Sequence, residues 1–397
     1  MKTALLGAAL ISLTAGLVVG YPRHDEPVPV DPPAITQPVP ANKPKIEAVF
    51  VLDTTGSMSG LIQAAKENIW SIASSMAQAQ PAPELKIGLV AFRDRGDDYV
   101  TRVTDLSTDL DSMYATLMDY QAGGGGDGPE AVNQALFDAV NKIGWSQDPN
   151  AYKVIFLVGD APPHMDYPDD VKYPETIKQA AARGIIVNTI QAGSDPETRA
   201  EWNAMASLGQ GKFLEVAQSG NAIAVTTPFD ERIAALAKEL DDTRMYFGDA
   251  KQQEEAQRRT RAASKVHAES SPAAQAKRAA FNASAPGKAN FLGDNELVDA
   301  VAKGKVDLAA LPAAALPAPL RELSLDEQAK VVQATAEKRA KLEADITTLS
   351  RQRSEHIAAQ LKDRKDKDAS LDYKLFGAVK EQAAAKGLSY EAAAPVN

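Results

Sequence analysis

Short, almost wholly apolar runs recur along this chain between stretches of helical pattern, and that alternation restricts the fold more than any other feature. Ile46 to Leu52, Lys86 to Phe92, Lys153 to Val158 and Ile185 to Ile190 read as strands; Tyr99 to Leu106, which alternates, and the short Lys212 to Val216 add two more. After Gly60, residues Leu61, Ala65, Ile69, Ile72 and Met76 recur at spacings of three and four, the period of a helix burying one face. Leu110 to Met118 reads as a short helix. Pro129 occupies a first-turn position ahead of Val132, Leu136, Phe137 and Val140; a further helix ends at Gly184, and the last reaches about Leu240. Strands apolar on both faces need cover on both sides. The pattern therefore predicts an α/β domain over residues 45–242, a doubly wound, mostly parallel sheet with helices on both faces.

The flanking segments have different compositions. Lys2 precedes an apolar and small-residue run from Ala4 to Val19, which reads as a signal peptide over 1–20 with cleavage after Gly20. A retained anchor is the alternative, since about 20 apolar residues suffice to span a bilayer. Membrane association is expected only in that case; otherwise the protein is exported and periplasmic, surface-associated or secreted. Residues 21–44 hold eight prolines and read as an extended linker. Residues 243–397 are rich in Ala, Glu, Gln, Lys and Arg and predict a helical C-terminal region. Its 251–281 part is weakly amphipathic, and 282–320 is broken by Pro and Gly. Ser324 and Glu327 form a capping-box pair, opening a helix through Leu342, Ile346, Leu349, Ile357 and Leu361. That spacing approaches a coiled-coil seam, with Arg353 as an interruption, and fits either a hairpin packed within the chain or a docking element.

Composition removes several chemistries. The chain has 397 residues, no cysteine and four widely separated histidines, so thiolate metal sites and cysteine nucleophiles are excluded and a zinc or His-based triad is disfavoured. The net charge of -10 comes without a basic cluster, leaving no footprint for nucleic acid.

Three runs carry the chemistry. In an open parallel sheet, ligands gather beyond the carboxyl ends of the strands. VFVLDTTGSM at 49–58 delivers Asp53, Thr55 and Ser57, GGGGDGPEAV at 123–132 supplies Asp127 and Glu130, and VIFLVGDAPPH at 154–164 ends its strand at Asp160. Oxygen donors without nitrogen or sulfur select a hard cation, Mg²⁺ ahead of Mn²⁺ or Ca²⁺. Three neighbouring carboxylates repel one another unless a cation compensates them. Water in the remaining positions leaves room for an acidic side chain of a protein or peptide partner.

This set of motifs resembles the von Willebrand factor A domain with its metal-ion-dependent adhesion site, over roughly residues 45–242. The resemblance matches Asp53, Thr55 and Ser57 to the family's Asp, Ser and Ser, and Asp160 to its strand-ending aspartate. DGPE is similar to the Asp-x-Pro-Glu run of integrin beta subunits, which implies Glu130 as a metal ligand and Asp127 as the residue of a neighbouring cation site. A second cation there would draw on Asp127, the Pro129 carbonyl and Asp94 or Asp98. FRDRGDD, GGGGDGPEAV and GDAPPH are closer still to bacterial members.

Other readings compete. Thr55 and Ser57 are also good helix N-caps. The glycines at 123–126 lack the GK[ST] that a phosphate loop needs. Asp53 is placed like the nucleophile of aspartyl-phosphate hydrolases, yet Thr55 stands where their second acid belongs. Arg93, Asp94, Arg95, Asp97 and Asp98 read as a solvated loop or as a rim around the site. His164 reads as a loop-orienting or solvent-facing residue. The sequence thus predicts a cation-dependent binder with no enzymatic activity; its rival is a scaffold whose C-terminal helices hold the partner while the ion only stabilises, and a metal-dependent hydrolase is the more remote alternative.

Overall fold

The computed structural model describes residues 43–126, 128–220, 225–362 and 371–390. The signal-peptide and linker readings, and Asp127, lie outside these residues.

Six strands form one sheet: β1 (Lys45–Asp53), β2 (Glu84–Phe92), β3 (Thr101–Ser107), β4 (Tyr152–Gly159), β5 (Ile185–Ala192) and β6 (Gln210–Val216). Their spatial order is β3-β2-β1-β4-β5-β6, parallel throughout except that β3 runs antiparallel to β2 at the edge. Interleaved with them are α1 (Ser59–Ala77), α2 (Leu110–Asp119), α3 (Val132–Asn141), α4 (Tyr173–Ala182) and α5 (Pro196–Leu208). After β6 come α6 (Asp230–Asp241), α7 (Ala250–Glu269), α8 (Pro272–Ala283), α9 (Lys288–Leu292), α10 (Leu297–Ala302), α11 (Leu325–Leu361) and α12 (Leu371–Ala384).

The two-residue period of β1 explains the two-sided burial. Ile46, Ala48, Phe50 and Leu52 point to a core completed by α1, α2 and α12, whereas Val49 and Val51 point to one completed by α3, α4 and α5. Each fully buried Val, Leu, Ile or Phe stabilises the fold by about 1.5–3 kcal/mol, so a central strand filling both cores fixes the register strongly.

The helices beyond residue 242 pack on the sheet domain and on each other. Val266 of α7 and Phe281 of α8 enter the core on the α1 side, where Trp70 meets the Tyr114 ring edge-on at 5.6 Å and lies 5.9 Å from Phe281. A separate cluster joins α6, α8, α9 and α11 through Ile233, Leu236, Ala279, Phe291, Leu342 and Ile346. The capping box at Ser324 and Glu327 forms as the sequence predicts and opens a helix of 37 residues. Its seam is filled from within the chain. Arg353 belongs to that seam and does not interrupt it: its Nε donates to Asp230 of α6 at 2.7 Å, with both side chains buried. Arg339, about four turns earlier, pairs with Glu296 at 2.7 Å and donates to the Thr243 carbonyl at 2.6 Å. Among the described residues, no helix is long and apolar enough to cross a membrane.

Candidate metal-binding site at the carboxyl edge of the sheet

β1 ends at Asp53 and β4 ends one residue before Asp160, and the parallel pairing of the two strands brings both acids to the same edge of the sheet. Asp53 and Thr55 are buried, each 1% exposed, Glu130 is 4% exposed, Asp160 is half-buried, and Ser57 lies in solvent. The set therefore has a buried floor and an open rim. The Thr55 hydroxyl donates to Asp53 Oδ1 at 2.7 Å, the Thr55 amide donates to the same oxygen at 2.9 Å, and the Ser57 hydroxyl lies 3.4 Å from that of Thr55. Neither hydroxyl caps the following helical turns, so the N-cap reading fails.

Glu130 sits before α3, not in its first turn as the position of Pro129 implies. It is fixed by a parallel bridge to Pro163: its amide donates to the Pro162 carbonyl at 3.0 Å, and its carbonyl accepts from the His164 amide at 3.1 Å. The glycine run lies against it. Gly125 has φ +77°, a left-handed conformation that side chains resist, and a Cβ there would fall 3.1 Å from Glu130 Oε1 and 3.2 Å from Thr55 Cβ. The run thus serves close approach of a loop to the acids.

Two carboxylate oxygens of this floor, Asp53 Oδ2 and Glu130 Oε2, are buried without a hydrogen-bond partner. Such atoms are costly, since a buried polar atom without a partner keeps its full desolvation penalty. Burial raises the Asp53 carboxyl to about 7 against the opposing hydrogen bonds from Thr55, with the Asp160 charge adding to the rise. Burial also raises Glu130 to about 9, reinforced by the charges of Asp53, Asp94, Asp97 and Asp160. Both groups hold protons more tightly folded than unfolded. In chelator, stability is therefore expected to fall as pH rises from about 4 through 7 towards 9, by at most ~1.4 kcal/mol per pH unit for each carboxyl. Urea midpoints measured in chelator across that range check this; midpoints that stay flat or rise contradict it.

The acidic side chains do not make a cage alone. Among the described residues, no three or more His, Cys, Asp or Glu side chains form a group able to hold a metal. The donor types of Asp53, Thr55 and Glu130, carboxylates and a hydroxyl, nonetheless suit a hard ion.

The FRDRGDD loop is more structural than a solvated run. Arg93 is buried and donates to the carbonyls of Thr54 at 3.1 Å and Gln121 at 2.8 Å, tying the first and second motifs together. Asp97 accepts from the Gly125 amide at 3.0 Å, and Asp98 pairs with Arg93 at 3.3 Å. Asp94 accepts from the Tyr167 hydroxyl at 3.0 Å and lies 3.4 Å from His164 Nε2. His164 is buried, contacts Asp166 at 2.8 Å and stacks on Tyr167, so it orients the loop after Asp160. Trp202 is buried where α5 meets the sheet and donates to the Ala161 carbonyl at 2.9 Å, holding that loop from the other side. Sequence reasoning missed Gln218, whose Nε2 donates to Asp160 Oδ2 at 2.5 Å and to the Ser57 carbonyl at 3.1 Å. A lone glutamine in a polar turn carries no pattern that could have revealed it.

The family described as von Willebrand factor A domain matches residues 47–227, the span of the sheet and its first five helices. It is this part of the chain, a little under half of it, that is similar to a von Willebrand factor A domain. Domains of this type are typically non-catalytic modules of adhesion and scaffolding. Among curated relatives, the alpha-protein kinase vwkA of Dictyostelium discoideum is 26% identical over 30% of this chain and 19% of its own length. An ariadne-like RING finger protein of Acanthamoeba polyphaga mimivirus is 23% identical over 47% of this chain and 20% of its own. The chain thus spans about a fifth of the length of these relatives. Among solved structures, proximal thread matrix protein 1 of the mussel byssus, with a zinc-occupied MIDAS motif, is 16% identical over 44% of this chain and 42% of its own, at a TM-score of 0.36. An aerotolerance-related membrane protein from Bacteroides fragilis is 16% identical over 44% of this chain and 92% of its own, at a TM-score of 0.31.

Proposed function

We propose that this A domain binds a hard divalent cation, Mg²⁺ with Mn²⁺ or Ca²⁺ as substitutes, through Asp53, Thr55, Ser57, Glu130 and Asp160, and that the ion anchors an acidic side chain of a protein or peptide partner. Asp127 is a further candidate ligand. The observation that carries the reading is the pair of buried, unpartnered carboxylate oxygens on Asp53 and Glu130, beside the Thr55 hydroxyl and the strand-ending Asp160. A divalent ion would supply their counter-charge and a Lewis-acidic position for the incoming carboxylate. Thr55 holds one Asp53 oxygen and leaves the other available. Glu130 is fixed through its backbone on both sides, so its carboxylate is presented from a rigid support.

The integrin-like DGPE run favours Glu130 as the ligand supplied by the loop before α3. The apolar run at Ala4 to Val19 favours export to the periplasm or cell surface. Partner docking through the C-terminal helices has less support, because the seam of α11 and the apolar face of α12 are used within the chain.

Titration calorimetry and thermal melting with Mg²⁺ test the ion. At one hundred times its dissociation constant, Mg²⁺ is expected to stabilise the wild type by about 2.7 kcal/mol and to leave Asp53→Ala unmoved. For the acid, the Mn²⁺-loaded protein is titrated with a short glutamate-containing peptide while water-proton relaxation is followed. Displacement of bound water lowers the enhancement. An absent Mg²⁺ response in the wild type sinks the cation reading, and unchanged relaxation sinks the carboxylate anchor.

A further inference from the structure

Gln218 lies on the turn that follows β6, outside every motif of the A domain described above, yet its amide nitrogen touches two of the three motif loops' own residues. Nε2 carries two hydrogens. One is directed at Asp160 Oδ2, 2.5 Å away, and the other at the Ser57 carbonyl, 3.1 Å away. The side chain is exposed at the rim, and Gly193, just after β5, approaches it so closely that a Cβ there would fall 2.6 Å from Gln218 Oε1. The turn that carries it is closed by the Gly220 amide donating to the Ala217 carbonyl at 2.7 Å. Gly220 itself packs on Leu61 and Ala64 of α1.

A neutral donor suits this place. It can hold one carboxylate oxygen of Asp160 without introducing a cation that would compete with a metal, and the second oxygen stays available to the site. Because the same nitrogen also holds the Ser57 carbonyl, Asp160 and Ser57 are kept at a set separation although they come from different strands.

We propose that Gln218 is a positioning residue of the cation site, orienting Asp160 and Ser57 for the ion through its side-chain amide. This rests on the cation reading above. Partners that stand behind metal ligands typically contribute 10–100-fold in affinity.

The test compares wild type with Gln218→Met, which keeps the length and removes both donors, and with Gln218→Asn, which withdraws the amide by one methylene. Calorimetry with Mg²⁺ alone reads affinity, melting in chelator reads the fold, and side-chain amide exchange by NMR reads the contact itself. The expected result is a 10–100-fold loss of Mg²⁺ affinity in both variants with chelator melting unchanged. In wild type without cation, the Gln218 amide is expected to exchange slowly, and Asp160→Ala is expected to release it. Equal Mg²⁺ affinity in wild type and variants overturns the role of Gln218 and leaves the cation reading standing. So does a freely exchanging amide in the wild type, or variants that melt lower with affinity intact. A wild type that takes up no Mg²⁺ removes the cation reading itself, and this inference with it.

Discussion

Phe376→Ala in α12 is expected to lower the unfolding free energy by about 3–5 kcal/mol, the usual cost of deleting a large aromatic from a packed core. Phe376 is buried with Leu371, Leu375, Val379 and Ala383 in the same core as Phe50 and Leu52 of β1, and its ring meets that of Tyr390 edge-on at 5.4 Å. The helix is also specified by polar contacts. Gln382 accepts from the Tyr152 hydroxyl at 2.7 Å and exchanges two amide bonds with Asn188, at 2.7 and 3.0 Å, both partners being fully buried in the sheet. Beyond the helix, Ser389 and Gln80 form a two-bond bridge at the far end of α1. A chain ending at residue 362 would lose at least five buried apolar side chains worth about 1.5–3 kcal/mol each. The total is comparable with the whole stability of an ordinary domain, so this truncation is expected to leave the sheet unfolded. Urea denaturation of the full chain, the Phe376→Ala variant and the truncation measures both effects. A truncation that melts like the full chain would show that α12 is an accessory to the fold.

The contrast between α12 and the strands shows what a sequence displays and what it hides. β1 and β4 are legible because a parallel strand covered on both sides must be apolar at nearly every position, and that signature is local. The site was legible for a related reason. Asp53, Thr55 and Ser57 carry their spacing within one loop, and Asp160 announces itself by following a run such as VIFLV. In α12 the sequence shows a short, mixed helix; its meaning depends on Asn188 and Tyr152, about 200 residues earlier. Gln218 is hidden in the same way, since its partners sit on two other loops. Arg353 is misleading in the opposite sense. A charge within an apolar seam breaks the pattern when read alone, but Asp230, brought in by α6, makes it a buried pair. Local periodicity registers burial of apolar groups, whereas burial of a polar group is decided by a partner whose position only the fold supplies.

That principle has its largest consequence at Arg278, where alanine is expected to cost about 3–5 kcal/mol through loss of a buried ion-pair network. The Arg278 guanidinium, 1% exposed, donates to both Asp111 oxygens at 2.5 and 2.6 Å and to Asp241 at 2.8 and 3.1 Å. Asp241 also pairs with Arg244 at 2.9 Å and contacts His267 Nε2 at 2.6 Å. Burial alone would raise the Asp241 carboxyl; the Arg278 and Arg244 charges and the His267 hydrogen bond outweigh it and hold the group well below the usual range. Removing Arg278 leaves Asp111 without its bidentate partner, and most of the penalty is the desolvation of that stranded carboxylate. Asp111 belongs to α2 of the sheet domain, Asp241 to α6 and Arg278 to α8, so the network joins the A domain to the helices that follow it. A double-mutant cycle isolates this term: Arg278→Ala and Asp111→Ala together should cost less than the sum of the single variants, because the second change removes the charge the first one stranded. Strict additivity in urea unfolding would mean that Arg278 acts through its volume and not through its charge.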